Sequence, residues 1–121
     1  MILVDTSVWV DHIRKGDPSL ERLLDERLVW THPCVIGELA LGNLPDRTVF
    51  LTDLRDLPQV KRATHDEVAA FIEAERLYGL GIGYSDAHLL ASARLVATTL
   101  WTRDRRLLDA AETLGVAAPI S

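Results

Sequence analysis

Four apolar residues open the chain and lead directly to an aspartate, in the stretch MILVDTSVW. Such a run predicts a short buried β-strand, with Asp5 at its carboxyl end immediately before Thr6 and Ser7. In open α/β sheets, ligands and substrates bind in the crevice outside the carboxyl ends of the strands. The opening segment therefore predicts an α/β fold with a carboxylate placed where such folds keep their chemistry.

Strand-like and helix-like segments alternate along all 121 residues, without a repeat, a low-complexity segment or a long linker. This alternation predicts a single α/β domain over residues 1–121, with a mostly parallel central sheet flanked by helices on both faces. Further strands are predicted at LVWT, TTLWT and VAAP, with QVKRA as a possible additional one. Helix starts are predicted at Ser7, Asp17-Pro18, Pro33, Asp46, the capping box Thr64-x-x-Glu67, Ser85 and Asp104.

The composition excludes several classes of protein. With 48% apolar residues the chain can bury a core, and its single cysteine, Cys34, cannot form an internal disulfide. No stretch approaches the ~20 apolar residues of a membrane span, and no basic segment opens a signal peptide, so a cytoplasmic protein without membrane contact is expected. The formal net charge of -5 argues against general, charge-driven binding of nucleic acid.

Four of the eighteen acidic residues are not explained by an exposed helix face. Asp5 ends the first strand, and Glu38 interrupts the apolar run VIGELAL, where a helix is expected to place it among apolar side chains unless it reaches water. Asp86 and Asp104 stand at predicted helix starts, where a carboxylate can simply cap the helix. Each residue alone therefore has an ordinary structural explanation.

Their joint placement points to a metal site. Carboxyl ends of parallel strands meet at one edge of a sheet, so Asp5 and Asp104 are expected to face one crevice, which Glu38 and Asp86 could complete. Two carboxylates ~4 Å apart repel by roughly 1–4 kcal/mol, and a hard divalent cation such as Mg²⁺ or Mn²⁺ removes that repulsion. A metal held in this way could activate water for phosphodiester hydrolysis.

The same residues carry a family resemblance that runs over nearly the whole chain. The segments MILVDTSVWVD, VIGELALGN, YSDAHLLASA and LWTRDRRL agree in order and spacing with PIN-domain ribonucleases, specifically the toxins of VapBC-type toxin–antitoxin pairs. The resemblance implies that Asp5, Glu38, Asp86 and Asp104 hold one or two Mg²⁺ or Mn²⁺ ions, with Ser7 and Thr102 supporting the site. It implies endonucleolytic cleavage of RNA by metal-activated water.

The resemblance also implies partners. It predicts a homodimer and a VapB-type antitoxin protein that carries the DNA-binding domain, so that this chain meets DNA only through the antitoxin. Arg103, Arg105 and Arg106 surround Asp104 and are candidate contacts to substrate phosphates, although solvated helix charges explain them equally well. Participation of Asp109 and His88 in the site stays open.

Three rival functions were considered. A receiver-type phosphotransfer domain needs a lysine near the last strand, and the only lysines are Lys15 and Lys61. A haloacid-dehalogenase-type phosphatase needs an aspartate two residues after the first, where Ser7 stands. A non-catalytic, toxin-like interaction module that binds a partner protein remains the alternative to the ribonuclease, and metal-dependent RNA cleavage would separate the two.

Overall fold

The fold is a three-stranded parallel sheet surrounded by seven helices, and the computed structural model describes residues 1–121. The strands are β1 (Ile2–Val4), β2 (Val29–Trp30) and β3 (Thr99–Trp101). The helices are α1 (Thr6–Lys15), α2 (Pro18–Asp25), α3 (Pro33–Ala40), α4 (Arg47–Asp56), α5 (His65–Ala74), α6 (Tyr84–Leu95) and α7 (Arg105–Leu114). The prediction of one small α/β domain is therefore confirmed.

The first strand forms the centre of the sheet. The order is β2-β1-β3 with all pairs parallel, and Leu3 lies opposite Trp30 on one side and Leu100 on the other. The predicted strands QVKRA and VAAP are wrong as full strands, since each is reduced to one bridge, Gln59 beside Thr31 and Ala117 beside Leu100. Their short contacts extend the sheet edges without adding a complete ladder.

Both faces of the sheet are covered. Neighbouring residues on a strand point to opposite faces, and Leu3 with Val4, like Leu100 with Trp101, are both fully or almost fully buried. The apolar stripes of the helices therefore pack on both sides, as predicted for a sheet of this type. None of the helices is both long and apolar enough to cross a membrane.

Local caps fix most helix starts where the sequence predicted them. The side chain of Asp17 accepts the backbone N–H of Leu20 at 3.0 Å, and Thr64 and Glu67 form the reciprocal capping box. The prediction that Ser85 caps α6 is wrong. The helix begins at Tyr84 with Gly83 as its N-cap, which moves Asp86 into the first turn.

Arg103 joins the end of the sheet to the first two helices. Its guanidinium donates to Asp11 Oδ2 at 2.9 Å, to the carboxylate of Asp17, and to the backbone carbonyl of Ser121 at 3.1 Å. The same group stacks 5.2 Å above the ring of Trp101. The two carboxylates raise the pKa of Arg103, although burial of the group opposes the shift. Arg103 therefore holds the segment after β3 against α1 and α2.

These contacts predict that alanine substitutions of Arg103 and Arg105 lower the free energy of unfolding by very different amounts. Arg103→Ala leaves the almost buried carboxylate of Asp17 without its cation, and we expect the free energy of unfolding to fall by about 2 kcal/mol. Arg105→Ala should lower the free energy of unfolding by less than about 0.5 kcal/mol, because the side chain of Arg105 is 83% exposed in its pair with Asp109. Urea denaturation of both variants measures the difference. Equal stability of the two variants would contradict a structural role for Arg103.

Candidate active site

Asp5 is the most buried carboxylate of the candidate site. Its backbone N–H donates to the carbonyl of Trp101, which continues the β1–β3 pairing by one residue and leaves the side chain 5% exposed. Oδ2 accepts the hydroxyls of Ser7 at 2.7 Å and Thr102 at 2.8 Å. Two short hydroxyl contacts therefore satisfy one carboxylate oxygen and fix the orientation of the group.

Ser7 and Thr102 also hold the loop that carries Asp104. The hydroxyl of Ser7 accepts the backbone N–H of Arg103 at 2.9 Å, and that of Thr102 accepts the N–H of Asp104 at 3.1 Å. Asp104 Oδ1 in turn caps α7 by accepting the N–H of Leu107 at 3.1 Å. The ends of β1 and β3 are thereby joined into one hydrogen-bonded unit.

Glu38 comes to this region from α3. Of the two placements that the sequence left open for Glu38, the one in contact with water holds, because Val35 and Leu39 occupy the buried face of the helix and Glu38 is exposed. Its Oε1 accepts the hydroxyl of Thr6, the first residue of α1, at 2.8 Å. Glu38 is therefore oriented by a polar contact between two helices. Because its side chain is exposed to water, its charge needs no neutralising partner.

The pKa of Asp86 responds to the charges of the other three carboxylates. Burial raises its pKa above the usual value for an aspartate, the N–H of Gly83 opposes this at 3.0 Å from Oδ2, and the charges of Asp5, Asp104 and Glu38 raise it further. The charges of Asp5, Asp104 and Glu38 therefore reach Asp86. No arginine, lysine or histidine forms an ion pair with any of them.

The four carboxylates share one hydrogen-bonding pattern. Each has one oxygen that accepts a protein donor, and its second oxygen has no hydrogen-bond partner in the protein. The anchored oxygens are Asp5 Oδ2, Glu38 Oε1, Asp86 Oδ2 and Asp104 Oδ1. This arrangement leaves four hard oxygen ligands free for a divalent cation, the donor chemistry that Mg²⁺ and Mn²⁺ prefer.

No three histidine, cysteine, aspartate or glutamate side chains lie close enough together to hold a metal ion as they stand. The carboxylates converge on one neighbourhood without forming a closed coordination shell. A cation bound by three of them therefore requires side-chain adjustment, for which the exposed Glu38 and Asp104 have the most room.

The remaining candidate residues lie around this centre. The guanidinium of Arg103 is taken up by Asp11 and Asp17, which leaves the predicted phosphate contacts to Arg105 and Arg106. Arg106 lies across the backbone of Gly81, where an added Cβ would come within 2.5 Å of Nη1. Asp109 pairs with Arg105 on the exposed face of α7 and has no contact with the four carboxylates.

Two histidines lie at the inner side of the same region. Burial lowers the pKa of His32 to about 4, with a further contribution from the nearby His88, and the pKa of His88 is lowered as well. His32 is N-cap of α3, where Nδ1 accepts the N–H of Cys34 at 2.9 Å. Both rings are therefore neutral at pH 7, and neither supplies charge to the acidic centre.

Sequence reasoning missed two residues of the site. Thr6 was passed over because its partner, Glu38, is 32 residues away, and no local pattern joins them. Gly83 was hidden by the expected cap at Ser85, although a glycine three residues before an aspartate can serve as N-cap while the carboxylate bonds back to its N–H.

Comparison with known proteins identifies the family and the fold. The PIN domain family matches residues 2–113. Ribonuclease VapC32 of Mycobacterium tuberculosis is 49% identical over 118 residues, which cover 97% of this chain and 95% of that protein. FitAcB from Neisseria gonorrhoeae has a similar structure, with a TM-score of 0.64 and 25% identity over 97% of this chain and 95% of that one. PAE2754 from Pyrobaculum aerophilum shares the fold at a TM-score of 0.68 and 19% identity, over 97% and 87% of the two chains. The chain therefore belongs to the PIN-domain family and is a VapC-like member of it, as its motifs predicted.

Proposed function

We propose that this chain is a metal-dependent endoribonuclease, the toxin of a type II toxin–antitoxin pair. The observation that carries the proposal is the group of four unpaired carboxylates, each anchored through one oxygen and free at the other. Such a group is unfavourable without a cation, and stability alone does not assemble it. The 49% identity to a protein named ribonuclease VapC32 supports RNA as the substrate.

Asp5, Asp86, Asp104 and Glu38 would hold Mg²⁺ or Mn²⁺. The bound cation would supply a water of lowered pKa and positive charge for the scissile phosphate. Ser7 and Thr102 keep the buried carboxylate of Asp5 turned toward the crevice by occupying its other oxygen. In this scheme no protein side chain acts as the nucleophile, and the chain contributes ligand orientation and phosphate positioning.

Arg105 and Arg106 are proposed contacts to the RNA backbone. Both side chains are exposed on the first turn of α7, directly after Asp104. Arg105 has only a 3.5 Å surface pair with Asp109, and Arg106 has no ion pair within 4 Å. Their guanidinium groups can therefore turn to a phosphate without breaking a buried interaction.

Partner binding is a further part of the proposal. A VapB-type antitoxin as protein partner, a homodimer as the toxin's own assembly, and DNA contact only through the antitoxin are proposed from membership of the VapC-like family. Three exposed apolar side chains offer area for such contacts: Val10 on α1, Leu41 at the end of α3 and Val49 on α4. Helix α3 touches both α1 and α4, so these elements form one continuous region.

Cleavage of a total RNA pool tests the proposed activity. Purified wild type, free of antitoxin, should cut RNA with Mg²⁺ or Mn²⁺ and should stop when chelator is added. Asp5→Asn and Asp86→Asn should each lower the cleavage rate by about 100-fold or more, because even residues that only support metal ligands cost about 10–100-fold.

Asp109→Asn is the matched control, since it removes a carboxylate on α7 that is paired with Arg105 outside the acidic group. It should retain the wild-type rate. Folded wild-type protein that cuts no RNA with either metal would contradict the proposal and favour the interaction module. Sequencing of the cut ends would identify the target RNA.

Thermal unfolding offers a second test, independent of any RNA. The pKa of Asp86 is higher in the folded chain than in the unfolded chain. As pH rises, Asp86 therefore loses its proton first in the unfolded state, and the free energy of unfolding falls between the two pKa values. In chelator at pH 7, Asp86→Asn should therefore raise Tm by a few degrees, while its amide oxygen can still accept the N–H of Gly83. The gain should vanish at a pH below the usual pKa of an aspartate.

Added metal should reverse which of the two proteins, the wild type or Asp86→Asn, has the higher Tm. Added Mn²⁺ stabilises a folded state that binds it, so Tm of the wild type should rise with concentration while that of Asp86→Asn changes little. A lower Tm of the variant in chelator, or an equal response of both proteins to Mn²⁺, would contradict a repulsive, metal-binding role for Asp86.

A further inference from the structure

A row of four aromatic side chains extends from the carboxyl edge of the sheet to the surface. We call it the histidine–tyrosine row, and it consists of His32, His88, Tyr84 and His65. The ring centroids are 5.9 Å apart for His32 and His88, 4.6 Å for His88 and Tyr84, and 5.6 Å for Tyr84 and His65. Its inner end is 1% exposed at His32, whereas Tyr84 is 48% exposed.

Tyr84 is held rigidly although half of it faces solvent. His88 packs edge-on against the tyrosine ring at 88°, one helical turn along α6. The tyrosine hydroxyl is hydrogen-bonded to Nδ1 of His65 at the start of α5. Contacts on two sides fix the ring in one orientation, and a rigid exposed aromatic offers contact area at low cost in conformational entropy.

The row begins at the edge of the sheet that carries the acidic group. His32 follows the carboxyl end of β2, as Asp5 follows that of β1, and parallel strands end at the same edge. The first turn of α6 carries both Tyr84 and Asp86. Because these residues are two positions apart, their side chains point to different sides of the helix. Asp86 belongs to the acidic group, and Tyr84 belongs to the surface beside it.

Two cations stand just before His65, the outer end of the row, in the sequence. Lys61 and Arg62 precede α5, both are exposed, and neither has a carboxylate within ion-pair distance. Arg62 lines a pocket together with Pro33, the residue that follows His32, and so lies near the inner end of the row. In a chain with a net charge of -5, Lys61 and Arg62 place two positive charges four and three residues before His65.

We propose that Tyr84 is a stacking platform for an unpaired nucleobase of the RNA substrate, with Lys61 and Arg62 holding the adjoining phosphates. Single-stranded RNA is recognised by stacking of splayed bases on aromatic side chains together with basic groups along the backbone. This inference rests on the proposed function, since it treats the acidic group as the place of cleavage. A strand whose phosphate lies at the carboxylates can place a neighbouring base on Tyr84.

Binding of a labelled single-stranded RNA of mixed sequence, measured by fluorescence anisotropy in chelator, tests the platform without cleavage. Tyr84→Leu removes the ring and keeps apolar bulk, and we expect it to weaken binding by about 5- to 100-fold. Tyr84→Phe is the matched control, because it keeps the ring and loses only the hydrogen bond to His65. It should stay within about threefold of the wild type, since one exposed hydrogen bond contributes little.

The basic residues are tested by salt dependence. Replacing Lys61 and Arg62 together by alanine should reduce the slope of log affinity against log salt by about 1.4, at ~0.7 per phosphate contact for a single strand. Arg55→Ala, on the exposed surface of α4 and equally free of ion pairs, should leave the slope unchanged. Thermal melting confirms that all variants are folded.

Each outcome separates this inference from the proposed function. Equal RNA affinity of Tyr84→Leu and Tyr84→Phe overturns the platform, even if the wild type cleaves RNA, and leaves the surface to a protein partner. Wild type that binds no RNA in chelator overturns it as well. Binding that depends on Tyr84, in a protein that never cleaves RNA with metal, supports the platform and refutes the proposed nuclease.

Discussion

The buried carboxylate of Asp5 is the constraint on which the rest of this structure depends. A charged group at the end of the central strand must be compensated, and the fold does so with two hydroxyls and the backbone N–H of Ser7, without a basic residue. Those hydroxyls belong to Ser7 after β1 and Thr102 after β3, so satisfying Asp5 also aligns the two loops that form the crevice. Only one of its oxygens is satisfied, which leaves the other for a ligand.

The chain keeps its strongest ion pairs away from this crevice. Arg103 follows β3 by two residues and could reach toward the acidic group, but Asp11 and Asp17 take up its guanidinium. Its charge stabilises the contact between the sheet and the first two helices. It does not neutralise the four carboxylates. A salt bridge to Asp5 or Asp104 would stabilise the metal-free protein and would compete with a cation. The separation of structural from acidic charge thus leaves the four carboxylates without a basic partner.

Patterns that are local in sequence predicted the fold well. The Asp17 cap of α2 and the Thr64–Glu67 capping box each join partners three residues apart, and the apolar run before Asp5 signals a buried strand without naming the strands that pair with it. Where two caps compete within three residues, as Gly83 and Ser85 do, packing decides the helix start and the sequence does not. The tail VAAP forms only a bridge at Ala117, because a β-like composition sets no ladder length.

The candidate residues could be selected from the sequence, but their arrangement could not. Strand ends predicted Asp5 and Asp104 at one edge, Glu38 and Asp86 were selected by their places in the predicted helices, and the family resemblance joined all four into one site. The contacts that orient them join residues far apart in the chain, such as Thr6 with Glu38 and Thr102 with Asp5. Such pairs depend on how helices pack, which no periodicity reveals. The same limit hid the histidine–tyrosine row, whose members come from three separate segments.

Crystals of the protein soaked with Mn²⁺ and measured for anomalous scattering would test the central claim most directly. The account predicts an anomalous peak in the crevice, bound by the free oxygen of Asp5 and by at least two of Glu38, Asp86 and Asp104. A crevice without a peak in Mn²⁺-soaked crystals, or a peak whose ligands exclude Asp5, would contradict the claim that these carboxylates are assembled to bind a divalent cation.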